Sequence, residues 1–406
     1  MPTVLANGDP FPTPETEFNS WVFGEIQNVD RITSHAWGIW AALTASARHN
    51  ALGISDPLVY QTWLSPSEIY NVTGGQPAVP KLELRTPLHH NRGGAGDKLT
   101  DAIKPNEHGI KVDRAVAEVV AYSPAAARHA VDLELFYTET LESYLENGYK
   151  EIPNFPKSGV TIKPVYKLIS EDDLNSINGR ELYAMPAWPG TPDTSSWSNA
   201  RAQQGFPNTF WGQCVYIDMA LTEPTTSNGV DPDCDSPTDP SIYSLADFIN
   251  VPLTDADMAQ FVEVFEEAGD PPNTALAPGQ TLILVGMHVG TREMKRWTWQ
   301  TNWWSADADN PNGPSSASIA AGRVGVVDGP AAHYAMATAY SMLVPAQPLT
   351  GGRNVGSLVP AYNPHLEAPF GPSVLQGGTA TVLTPEGGVT TNLGVESNCM
   401  TCHNYA

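Results

Sequence analysis

The chain is expected to fold as an α+β protein, with N-terminal helices, a central and largely antiparallel β-sheet or sandwich, and an irregular C-terminal tail. Three observations lead there. From Glu17 to about Arg48, Trp21, Ile26, Val29 and Ile32 fall at helical spacing and run into His35-Ala36-Trp37-Gly38-Ile39-Trp40-Ala41-Ala42-Leu43, apolar enough for a buried helix. From residue 159 the apolar period drops to two. Beyond Pro345 glycine and proline prevail and no period survives.

Between the helices and the strands, Leu58 to Tyr70 reads as a strand or turn followed by a helix start capped by Ser65 or Ser67. Residues 72–110 are polar and Gly/Pro-rich, a long surface excursion that holds His89, His90 and His108. Arg114 to Glu146 reads as helical, with an acidic face of Glu134, Glu139, Glu142 and Glu146. Strands are expected at Val160–Ile169, with Pro164 marking an edge or bulge, and near 182–188, 214–219, 281–289 and 296–304. Helices are expected near 255–268 and 331–344. The resulting regions are a mainly helical 1–158, a β-rich 159–345 and an irregular 346–406, compatible with one compact domain.

Bulk composition narrows the partners. The chain has 44 acidic against 21 basic residues, a net charge of −23, which argues against nucleic acid or an anionic membrane surface and favours a basic partner face. Eleven Trp, 36 Pro and 34 Gly suit a loop-rich, aromatic-packed globule rather than a disordered chain. No stretch approaches the roughly 20 apolar residues of a membrane span. Met1-Pro2-Thr3-Val4 lacks the basic and apolar regions of a signal peptide, so the expectation is that an export leader has been removed or omitted.

The strongest chemical signal is Cys399-Met400-Thr401-Cys402-His403. Cys-x-x-Cys-His is the attachment signature of haem c: two thiols bond the porphyrin vinyl groups and the adjacent histidine reaches the iron as proximal ligand. A thioredoxin-like redox pair would need a helix N-terminus in a βαβ pattern, and a zinc site would need a second ligand pair; the sequence offers neither. Only three residues follow His403, so a sixth iron ligand must come from earlier in the chain, another subunit or solvent. His288 interrupts an apolar strand, where a histidine needs a hydrogen-bond or metal partner. His333 lies on the helix expected near 331–344, on one face with Met336 and Ala337. Met336, Met342 and His365 are further candidates. The two remaining cysteines, Cys214 and Cys234, form an even pair that could close a disulfide. Asp231, Asp233, Asp235 and Asp239 carry part of a calcium-loop pattern, without its glycine at position six or its glutamate at position twelve.

Several blocks resemble exported bacterial proteins of the cytochrome c family: Val59-Tyr60-Gln61-Thr62-Trp63, Ile162-Lys163-Pro164-Val165-Tyr166-Lys167, Trp211-Gly212-Gln213-Cys214-Val215, Leu284-Val285-Gly286-Met287-His288-Val289 and Tyr362-Asn363-Pro364, before the terminal motif. The resemblance implies haem c and a periplasmic or extracellular location, and supplies no reaction. Three functions follow as expectations: an exported monohaem cytochrome moving single electrons, a haem enzyme of peroxidase or oxygenase type with an open iron and His288 as acid–base residue, or a ligand-binding β-rich module with a tethered haem. Oligomeric state is not legible.

Overall fold

A computed structural model describes residues 1–22, 28–47, 57–66, 69, 103–149, 151–255, 277–295, 297–323, 325–340, 360–372, 381–383, 389–391 and 393–399. Helices α1 (Glu15–Val22) and α2 (Val29–Thr44) open the chain. Asn28 caps α2 by accepting a hydrogen bond from the Arg31 N–H. α2 is apolar around most of its circumference because it is buried around most of its circumference; Ala36, Trp37, Ile39, Trp40 and Leu43 have no exposed surface.

The helices cover one face of a seven-stranded sheet. Its strands are β1 (Ala117–Glu118), β2 (Ala121–Tyr122), β3 (Val160–Ile169), β8 (Asn250–Pro252), β9 (Thr281–Thr291), β10 (Thr298–Trp304) and β11 (Tyr334–Ala339). The order β1-β3-β9-β10-β11 is antiparallel throughout, with β2 also on β3 and β8 also on β9. A second sheet joins β4 (Asn175–Ile177), β5 (Arg180–Pro186), β6 (Cys214–Asp218) and β7 (Ile242–Ser244), parallel only between β6 and β7. Tyr183, Met185, Val215, Ile217 and Tyr243 of this sheet share one apolar core with α2 and the large sheet. A two-stranded ribbon, β12 (Thr381–Leu383) and β13 (Val389–Thr391), lies in the tail. The architecture is α+β, as expected.

The five strands expected from period two are β3, β5, β6, β9 and β10. The helix expected near 331–344 is not there: a 3₁₀ turn, Gly329–His333, leads into β11. Its alanines alternate rather than wind. Ala335, Ala337 and Ala339 face one side and Met336 the other, and pairing with β10 outweighs the helical preference of alanine. His333 therefore shares no helix face with Met336. The helical region expected from Arg114 to Glu146 begins instead with β1 and β2, then forms two helices, Pro124–Asp132 and Thr138–Glu146. Ser123 and Pro124 mark the true start as N-cap and first helical residue. Glu134, with φ of 52°, ends the first helix. The helix expected near 255–268 and the excursion holding His89 and His90 lie almost wholly outside the described residues; His108 is exposed.

Cys214 and Cys234, 20 positions apart in sequence, are joined as a disulfide with Cα atoms 5.1 Å apart. It ties the start of β6 to the loop that follows it. Cys214→Ala together with Cys234→Ala is expected to cost about 3 kcal/mol, from the freedom the unfolded loop regains. A fall in the urea midpoint at unchanged slope would report it.

Candidate functional site

Strand register decides what lies on the outer face of the large sheet, away from α2. Paired residues on antiparallel strands point the same way. His288 pairs with Lys163 and Thr301, and Thr301 pairs with Ala337. Gly290 pairs with Trp299, which pairs with Ala339; Gly286 pairs with Trp303, which pairs with Ala335. This face is thus floored by Gly286, Gly290, Ala335, Ala337 and Ala339, with two indoles standing on β10. The opposite face carries Met287, Val289, Trp304 and Met336 and belongs to the core.

The tail reaches that outer face at Cys399. Its thiol is buried and packs with Trp303, Ala335, Ala337, Ala339 and Ala361, Trp299 lying against the same cluster. Backbone pairing holds it there: the Ala361 N–H donates to the Ser397 carbonyl at 3.0 Å, and the Cys399 N–H donates to the Ala361 carbonyl at 3.0 Å. The Sγ lies 3.1 Å from the same Ala361 oxygen. Cys402 and His403 lie outside the described residues.

Two residues beyond Ala361, Asn363 anchors the segment to the sheet. Its amide donates to Thr301 Oγ1 at 2.8 Å and to the Asn302 carbonyl at 3.0 Å. Asn363 also sits over Gly286, where an added Cβ would meet its Nδ2 at 2.8 Å and displace the anchoring amide. The same short segment supplies Glu367. Its Oε2 accepts the Asn363 N–H at 2.6 Å, and its Oε1 lies 2.6 Å from His288 Nε2. Burial alone would raise the Glu367 carboxyl; the charge and hydrogen bond of His288, with the Asn363 N–H, outweigh it and hold the group below its ordinary value. An ionised carboxylate can only accept, so Nε2 donates and the bond orients the ring.

The sequence candidates therefore separate. His288 and Cys399 share one sheet face and are bridged by the segment 361–367. His333 sits at the end of β11 with Nε2 3.6 Å from Asp247 Oδ1, and burial lowers its imidazole from the usual value despite that carboxylate. Met336 points to the core; Met342 lies outside the described residues. His365 packs edge-on to Trp211 with ring centroids 5.2 Å apart. In the acidic loop, Asp231 is buried, and its carboxylate accepts the Tyr216 hydroxyl at 2.6 Å and the Ser236 N–H at 2.9 Å. Asp233, Asp235 and Asp239 are exposed. Among the described residues, no group of three or more His, Cys, Asp or Glu converges on a metal position. Glu367 and Asn363 were not legible as site residues, because Glu367 meets His288 across 79 positions and no local spacing encodes that.

His365 makes a separate prediction. Its Nδ1 is inaccessible to solvent and has no hydrogen-bond partner among the described residues. Burial, aided by the charge of Lys167, pushes the imidazole down to about 3 from 6.5. The unfolded chain takes up this proton below pH 6.5 and the folded chain does not, so the contribution is complete above pH 6.5 and is lost as pH falls toward 3. The slope is at most about 1.4 kcal/mol per pH unit. Urea unfolding at pH 7 and pH 5 should show this loss in the parent, and a smaller one in His365→Asn.

A thiol that can form a thioether and a histidine oriented by a carboxylate are donor types that a covalently held haem uses, and the glycine and alanine floor they share is covered by Ala361, Asn363 and Cys399. No family model, curated protein or solved structure matches the chain.

Proposed function

We propose that the protein is a monohaem c-type cytochrome of an oxidising compartment that transfers single electrons. In this reading Cys399 and Cys402 hold the haem, His403 is the proximal ligand and His288 is the sixth. The observation that carries it is the seat of Cys399 on the outer sheet face that also bears His288. A histidine that ligates a metal through one nitrogen typically gives its other N–H to a carboxylate or carbonyl, and Glu367 already occupies that role. Bound at this face, the haem supplies a one-electron couple. The chain's own contribution is to orient the His288 ring through Glu367, to fix that segment to the sheet through Asn363, and to surround the site with apolar surface from Trp299 and Trp303.

Export is supported by the Cys214–Cys234 disulfide, which suits an oxidising compartment. Among the described residues no helix is long and apolar enough to cross a membrane. The charge of −23 favours a redox partner with a basic docking face, reached faster at low salt.

The test is the optical and EPR spectrum of haem-loaded protein, ferric and ferrous, with and without carbon monoxide. A low-spin spectrum indifferent to carbon monoxide is expected. A high-spin iron that binds carbon monoxide readily would replace the carrier with the haem-enzyme reading, in which His288 and Glu367 act as an acid–base pair.

A further inference from the structure

A second site, independent of the haem reading, is marked by an arginine. The chain has about twice as many carboxylates as cations, and among the described residues its buried lysine and arginines are all engaged. Lys167 Nζ donates to the Asp113 and Ala115 carbonyls at 2.9 and 2.8 Å and lies 3.6 Å from the Asp113 carboxylate. Arg323 meets Asp309 at 2.5 Å, and Arg292 donates to Asn154 at 2.7 Å. Arg114 differs. It is half-buried, its Nε is inaccessible to solvent, and its guanidinium has neither a hydrogen bond nor an ion pair among the described residues. A buried N–H without an acceptor is costly, and native proteins rarely leave one so.

Arg114 lines a cleft of about 230 Å³ together with His108, Thr209 and Gln213. The walls are fixed. The Cys214–Cys234 disulfide forms one side; Asn106 Nδ2 donates to the Cys234 carbonyl at 2.9 Å, and Asn208 Nδ2 to the Arg114 carbonyl at 2.8 Å. The Gln213 amide has no partner among the described residues and offers a neutral donor in the same lining. Glu107 and Asp233 complete the lining, both exposed.

We infer that this cleft binds a small monocarboxylate, anchored by the Arg114 guanidinium and seconded by the Gln213 amide. A planar carboxylate matches the guanidinium fork through two parallel hydrogen bonds. Glu107 and Asp233 share the lining, and their charge opposes a phosphate dianion more strongly than a monocarboxylate.

Isothermal titration of the disulfide-intact protein with acetate, benzoate and inorganic phosphate tests this. Saturable one-to-one binding of a carboxylate is expected, weakened at least about tenfold in Arg114→Gln and partly retained in Arg114→Lys. Gln213→Ala, which keeps the arginine, is expected to weaken binding less and serves if Arg114→Gln does not fold. Absence of saturable carboxylate binding, equal binding by Arg114→Gln, or preference for phosphate would overturn the assignment. None of these outcomes depends on whether haem is attached.

Discussion

In haem-loaded protein, His288→Ala is expected to convert a low-spin, carbon-monoxide-insensitive iron into a high-spin iron that binds carbon monoxide, while His333→Ala leaves the spectrum unchanged. The difference follows from where the two rings stand. His288 projects from the middle of β9 onto the face that receives Cys399, and Glu367 holds its Nε2 at 2.6 Å. His333 precedes β11 and stays near Asp247, whose carboxylate already accepts from Thr225 and Ser244. Glu367→Gln tests the orienting role separately. It replaces the ionised acceptor with a neutral one, so the sixth ligand should weaken without being lost.

The second large effect concerns stability. Trp40→Ala is expected to lower unfolding free energy by about 3–5 kcal/mol, read from urea unfolding followed by circular dichroism. Trp40 has no exposed surface. Its indole N–H donates to the Ala331 carbonyl at 3.0 Å, and its ring lies 5.1 Å from that of Tyr334. Removing it opens a void between α2 and the sheet and leaves the Ala331 carbonyl without its donor. Trp37, equally buried and bonded to the Ile319 carbonyl at 2.8 Å, lies beside it, so two indoles tie α2 to the connection between β10 and β11. A change below about 1 kcal/mol would contradict that placement.

What the sequence disclosed follows from which signals are local. β3, β5, β6, β9 and β10 were legible because alternation, as at the start of β3, or a short apolar run bounded by turn residues, as in β9, is encoded within each strand. β11 was not, because alanine counts as apolar on both faces and as a helix former. Only Trp299, Thr301 and Trp303 opposite it assign Ala335, Ala337 and Ala339 to one side. β4, β7 and β8, at three residues each, are too short to show a period. The disulfide was legible from cysteine count alone. Within the site, Cys399 was marked by its motif and His288 by its misfit in an apolar strand. Their common face, and Glu367 behind His288, required the sheet register and the return of residues 361–367 over it. Arg114 carries no sequence signal at all, since a missing partner is visible only in three dimensions.

The most direct test of the central claim is the intact mass of the protein produced in an oxidising compartment with haem-attachment machinery, before and after acid extraction of non-covalent haem. The account predicts one haem per chain that stays with the polypeptide and is lost in Cys399→Ala with Cys402→Ala. A folded, disulfide-bonded chain that emerges from those conditions with no covalent haem would contradict it.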